Sequence, residues 1–273
     1  MGIDLALLFA LHKYVVTVWH RHSAGIARSR LHLRLEAYAK RGILSEDAAT
    51  RLEREIAVTS SHEDAGSADL IIESVAEDFS IKSKLLAQFD ELISNRGLLA
   101  TNTSSISVNA LQRGLTAPAE FAGFHFFNPA LKMTLVEIVA GSLTSHSTVE
   151  MLKSVAARLD KTSVTVGDTP GFIVNKLLAI QINCALRLLE SQAASAHDID
   201  LAIVHGLGHR IGPLALADLI GLDVLYNILV SIFEATGDFA YKPASILKEL
   251  IDRSHLGRKT GQGIFDYRKD GIA

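Results

Sequence analysis

The chain has 273 residues, 48% hydrophobic and 21% charged with only 5 prolines, so it can bury a large core in one or two domains and is too apolar for a disordered linker. Its 27 basic and 30 acidic residues are mixed along the sequence and give a net charge of -3, which argues against nucleic acid or an anionic membrane surface as a partner. The single cysteine, Cys184, excludes an internal disulfide framework and fits a reducing, cytoplasmic setting.

Residues 3–13 read as an apolar helix. With Asp4, His12 and Lys13 present, no basic leader segment, and no apolar run near the roughly 18 residues a membrane span needs, this stretch is expected to belong to a soluble fold. YVVTVW then predicts a strand at 14–19. From about 23 to 55 the charged halves ARSRLHLRLEAYAKRG and SEDAATRLEREI, divided at Gly42 and restarted at Ser45, predict an antiparallel helical arm. ADLIIESV (68–75), GLLATNT (97–103), EFAGFHFF (120–127), LVEIVA (135–140) and SVTVGD (163–168) predict strands alternating with helical stretches, the pattern of a parallel sheet covered on both faces. TPGF breaks the pattern, and from Phe172 onward helix follows helix. The expected division is an α/β domain at 1–168 and an all-α domain at 169–273. Cys184, inside the apolar LLAIQINCALRLLE, reads as a small buried thiol.

A doubly wound sheet binds ligands beyond the carboxyl ends of its strands, so the polar residues there are the first candidates. His125 sits in an apolar strand and is followed by FFNP; alone it reads first as a surface or satisfied core histidine. Glu137, between Val136 and Ile138, must face water or find a partner. If the two meet, the carboxylate would fix the imidazole tautomer and stabilise its protonated form, making an oriented general base suited to oxidation of a secondary alcohol. TNTSS at 101–105 is a dense set of hydroxyl and amide groups that also reads as a hydrogen-bonded turn. Asn175, one turn into an apparent helix, could bond a substrate carbonyl or merely solvate the helix. No metal-ligand spacing is present.

Together ADLIIESVAED, LLATNTSSIS, AGFHFFNPALKMTLVEIV, DTPGFIVNKLL, GPLALADLIGLDV and LGRKTGQGIFDY resemble, in order and over nearly the whole chain, the 3-hydroxyacyl-CoA dehydrogenase family, and its short 3-hydroxybutyryl-CoA members most closely. The resemblance implies a Rossmann-like N-terminal domain, a helical C-terminal domain through which a homodimer forms, and a place in fatty acid metabolism and β-oxidation. It makes His125 the base, Glu137 its partner, and Ser104 and Asn175 donors that orient a short-chain acyl-CoA substrate. Asn128 would lie near the substrate, with Lys40 and Arg41 of the arm beside the CoA tail; a solvated charged face explains those last two as well. Glu77, Lys82, Asn102, Ser104 and Lys259 would lie near the nicotinamide cofactor.

Two departures stand out. The family's first strand and glycine-rich turn (GxGxxG) have only their end here, with Gly2 as the third glycine, so the first strand is expected to be missing. At the end of the next strand, where an acidic residue bonds the ribose in an NAD enzyme, this chain has His20, followed by Arg21 and His22. The cofactor is thus NAD or NADP. The alternative from another class is a non-catalytic acyl-CoA-binding or assembly subunit without a working cofactor site.

Overall fold

The computed structural model describes residues 1–93 and 97–268, and the chain forms two compact units, Met1–Thr169 and Pro170–Ala273. In the first, GIDLALLFAL has no internal breaker and forms α1 (Gly2–Leu11), apolar almost all round and therefore buried on opposite faces. One face, Leu5, Leu8 and Phe9, packs with Leu98, Ala100, Phe124 and Phe126; the other, Leu7 and Ala10, packs with Leu31, Leu35 and Leu52. After it come β1 (Thr17–Trp19), half the length expected, and the arm, α2 (Ala24–Lys40) and α3 (Glu46–Glu55). The Ser23 and Ser45 hydroxyls accept from the Gly25 and Ala48 N–H groups and start these helices, while Gly42, at φ +65°, turns the chain between them. The arm is followed by β2 (Ala57–Thr59), a strand whose three residues offer no period to read, paired in parallel with β1.

The rest of the unit is β3 (Leu70–Glu73), α4 (Phe79–Ile93), β4 (Leu98–Thr101), α5 (Val108–Gln112), β5 (Phe121–Phe126), β6 (Leu135–Ala140), α6 (His146–Arg158) and β7 (Thr162–Gly167). These strands form a five-stranded sheet in the order β3-β4-β5-β6-β7. Among the described residues no strand joins β3 to the β1-β2 pair; α1, shared between their cores, links the two sheets. The all-parallel expectation is corrected at one pair. β5 and β6 run antiparallel, because the short FNPALKMT connection cannot cross over the sheet as a parallel pair requires.

The second unit is α7 (Val174–Glu190), α8 (Ala196–Leu207), α9 (Pro213–Ile220), α10 (Leu222–Thr236) and α11 (Ser245–Asp252), packed around Ile182, Leu186, Leu214, Leu225 and Leu229. The GQGIFDY segment folds onto α9 because the buried Asp218 accepts the N–H groups of Ile264 and Phe265 and the hydroxyl of Tyr267. Cys184 is exposed, not buried: α7 turns Ile182, Asn183, Ala185 and Leu186 inward, and position 184 falls on the opposite face.

Candidate active site

The antiparallel register of β5 and β6 sets His125 directly opposite Glu137, on the same face of the sheet. Both are buried, 3% and 0% exposed, and His125 Nδ1 lies 2.8 Å from Glu137 Oε2. A carboxylate can only accept, so Nδ1 donates its proton and Nε2 is left as the ring's acceptor. The Ser104 hydroxyl, 3.1 Å away, donates to it. Three groups from β5, β6 and the turn after β4 thereby form a line: hydroxyl, imidazole, carboxylate. Such a line presents a lone pair to an incoming alcohol proton and holds a negative charge behind the ring to stabilise the imidazolium that results.

The turn carrying Ser104 is tied down from below. Glu77 Oε1 accepts the Thr103 hydroxyl at 2.5 Å, the Ser104 and Ser105 N–H groups at 2.9 Å each and the Ser105 hydroxyl at 3.0 Å. Burial pushes the Glu77 carboxyl up, but the Thr103 hydroxyl, the Lys82 ammonium and the two N–H groups outweigh it and hold the group below the ordinary glutamate value. Asn102 ties the strand ends together, its Oδ1 accepting the Phe126 N–H at 2.8 Å and its Nδ2 donating to the Ser74 hydroxyl at 3.3 Å.

For a dinucleotide, part of the expected set fits. Gly2 begins α1 next to Ser74 at the carboxyl end of β3, and no side chain caps the helix's first N–H groups, which leaves donors for an anionic group. Glu77 and Asn102 lie at the same sheet end. Lys82 is different: its ammonium is buried, 1% exposed, with Glu73 Oε1 at 2.9 Å, Glu73 Oε2 at 3.1 Å and Glu77 Oε2 at 3.3 Å. Two hydrogen bonds to Glu73 and an ion pair to Glu77 engage the ammonium, so Lys82 bears on a cofactor through those carboxylates. The β1 end departs from the acidic pattern. His20 Nδ1 accepts the N–H groups of His22 and Ser23, and its pKa is lowered by burial first and then by Arg30, His22 and Arg21. The ring is therefore neutral near pH 7, and Arg21 and Arg30 carry the positive charge there.

The remaining candidates lie elsewhere. Asn128 is exposed in the turn after β5, and Lys40 and Arg41 are exposed at the end of α2. Asn175 is the second residue of α7, and Lys259 pairs with Asp223; both belong to the second unit, where Lys259 has an acidic partner of its own. Sequence reasoning did not single out Glu73, a buried acid ending an apolar strand, nor Asp4, whose Oδ1 accepts the Tyr38 hydroxyl at 2.8 Å and pairs with Arg34 at 3.1 Å. In both the signal was available: a carboxylate in an apolar run. Among the described residues no group of three or more His, Cys, Asp and Glu could hold a metal.

Comparison with known proteins bears directly on this arrangement. Residues 1–169 match the family described as "3-hydroxyacyl-CoA dehydrogenase, NAD binding domain", and residues 171–267 match its C-terminal domain. The chain is 38% identical to the 3-hydroxyadipyl-CoA dehydrogenase of Escherichia coli (strain K12) over 99% of its own length and 58% of that longer protein, little more than half of it. It is 36% identical to a probable 3-hydroxybutyryl-CoA dehydrogenase of Deinococcus radiodurans, over 98% of this chain and 96% of that protein. The crystal structure of the (S)-3-hydroxybutyryl-CoA dehydrogenase PaaH1 from Ralstonia eutropha is similar with a TM-score of 0.89 at 33% identity, covering 98% of this chain and 95% of that one. Both halves of the sequence thus carry the same family's pattern, and the chain belongs to the 3-hydroxyacyl-CoA dehydrogenase family.

Proposed function

We propose that this protein interconverts short-chain (S)-3-hydroxyacyl-CoA and 3-oxoacyl-CoA, with His125 as the general base. The observation that carries this is the line from the part-buried Ser104 hydroxyl through the buried His125 to the buried Glu137. In the oxidation, the substrate's 3-hydroxyl displaces or joins the Ser104 hydroxyl at His125 Nε2 and gives up its proton there. Glu137 stabilises the imidazolium, and Ser104 orients the oxygen as it becomes a carbonyl. A bound nicotinamide supplies the acceptor for the hydride leaving the same carbon. The family resemblance assigns Asn175 to orienting the substrate and Asn128, Lys40 and Arg41 to the acyl-CoA.

Gly2, Glu77 and Asn102 would hold the cofactor. With Arg21 and Arg30 beside the neutral His20, NADP is favoured over NAD, because a ribose 2′-phosphate would meet positive charge and no carboxylate. Leu177, Cys184 and Leu188, exposed at helical spacing on α7, suit a homodimer formed through the helical unit. The exposed thiol suits a reducing, cytoplasmic setting.

The test is acetoacetyl-CoA-dependent oxidation of NADH and of NADPH, in parallel, by the chain and by its His125→Ala variant. Turnover that the variant loses supports the dehydrogenase and names its cofactor. A folded chain that binds acetoacetyl-CoA without turnover favours a binding subunit instead.

A further inference from the structure

The buried charges of the first unit include one cation that touches no part of the proton path yet is wired to it. Glu73, at the end of β3, is fixed by the Thr101 hydroxyl at 2.7 Å and the Val75 N–H at 2.6 Å, so it is a rigid part of the sheet. Lys82, from α4, spans the space between Glu73 and Glu77 and directs its ammonium to both. Glu77 then divides its two oxygens: Oε2 faces Lys82, and Oε1 alone receives the four donors of the 103–105 turn.

We propose that Lys82 is a positioning residue of the dehydrogenase site: its buried ammonium clamps Glu77 so that the carboxylate holds the 103–105 turn, and with it the Ser104 hydroxyl, against His125. The physical case has two parts. Four donors converge on one oxygen only if the carboxylate is fully ionised and fixed in rotation, and a cation on the opposite oxygen secures both. Without that cation the Glu73 and Glu77 carboxylates would face each other across the same space, and like charges so placed drive one of them to protonate or to swing away. Either response releases the turn. Lys82 acts on chemistry it never touches, because a shift of about 1 Å in Ser104 is enough to cost about 100-fold in rate.

An ion pair that merely stabilises the fold is the competing account, and replacing a buried pair is often neutral for stability. The two accounts are separated by Lys82→Met, Glu77→Gln and the double variant, using amide hydrogen exchange on the full chain, with melting curves as a check on folding. Positioning predicts that Lys82→Met speeds exchange at the Ser104 and Ser105 amides at least about tenfold, leaves Glu137 to Val139 unchanged, and that adding Glu77→Gln produces no further increase. It also predicts a kcat lower by about 100-fold, with the acyl-CoA KM within about threefold. Unchanged protection at 104 and 105, an increase spread evenly over the unit, or additive effects in the double variant would overturn it. Should Lys82→Met fail to fold, Glu77→Gln alone decides, since its side chain is 38% exposed and its amide is tolerated; protection retained there is equally fatal. The kinetic expectation rests on the dehydrogenase reading, whereas the exchange result does not. A wild-type chain without turnover would therefore sink that reading and still leave Lys82 to be judged.

Discussion

Replacing Glu137 with Gln removes one charge from the centre of the sheet and changes almost nothing else in shape. Glu137 is fully buried and 2.8 Å from His125, so the lost quantity is the attraction between a carboxylate and the imidazolium formed during turnover. With charge centres about 4 Å apart and an effective dielectric near 20, that attraction is worth about 4 kcal/mol, and the amide recovers about 1 kcal/mol as a neutral hydrogen bond. The remaining 3 kcal/mol, at about 1.4 kcal/mol per tenfold, predicts kcat reduced by about 100-fold. A second consequence accompanies it. The glutamine can turn its NH2 group toward Nδ1, moving the ring proton to Nε2 and pointing a donor where the substrate needs an acceptor. Steady-state oxidation of 3-hydroxybutyryl-CoA gives the first number, and ring nitrogen chemical shifts give the tautomer. A loss below tenfold with Nδ1 still protonated would refute the claim that Glu137 both charges and orients the base.

Exchanging His20 for Asp together with Arg21→Ala is expected to move the NADPH-to-NADH preference toward NADH by at least about tenfold, measured as the ratio of dissociation constants; an unchanged ratio would place those residues away from the ribose. Gly123→Ala would set a new Cβ 2.7 Å from that of Val139, two residues along the strand from the His125 and Glu137 pair. It should cost about 1–3 kcal/mol by overpacking, seen in denaturant melts, and lower kcat as β5 and β6 are pushed apart. Tyr38, pushed up to about 12 by burial and then by its bond to Asp4, and Tyr267, pushed up to about 12 by burial and then by the Asp218 charge, should ionise last in a spectrophotometric titration. Their neutral forms are favoured in the folded state, so the stability they contribute is complete below pH 10 and is lost as the pH rises from 10 toward 12. Tyr38→Phe should remove one of these late ionisations and flatten that decline; two late groups surviving in the variant would exclude Tyr38 as one of them.

The parts of this molecule that the sequence announces are those whose signal is local. The strands LVEIVA and FAGFHFF are apolar runs bounded by turns, and the arm is framed by Ser23, Gly42 and Ser45, each acting within a few residues of itself. The charge of Glu137 between two aliphatic residues demands either water or a partner from sequence alone. Which partner it finds depends on strand direction, and direction follows from a connection too short for a crossover, a constraint that apolar periodicity does not carry. The role of Lys82 was hidden for a similar reason. Its value comes from lying between Glu73 and Glu77, and nothing in a helix sequence says which strand ends its side chain will reach. Exposure of Cys184 is a matter of helix phase: a largely apolar stretch of sequence conceals which of its residues share the face of Cys184.

Because Leu5, Leu8 and Phe9 share a core with Leu98, Phe124 and Phe126, one face of α1 is covered by strands that lie far along its unit, while the other is covered by the neighbouring arm. Leu31 of the arm follows α1 by about 20 residues and Leu98 by about 90, so the two faces close over loops of very different length. The arm can dock on α1 as soon as both are made, and the sheet only after several further elements. The order of synthesis therefore separates the two packing events that fix α1, the local one first and the long-range one later.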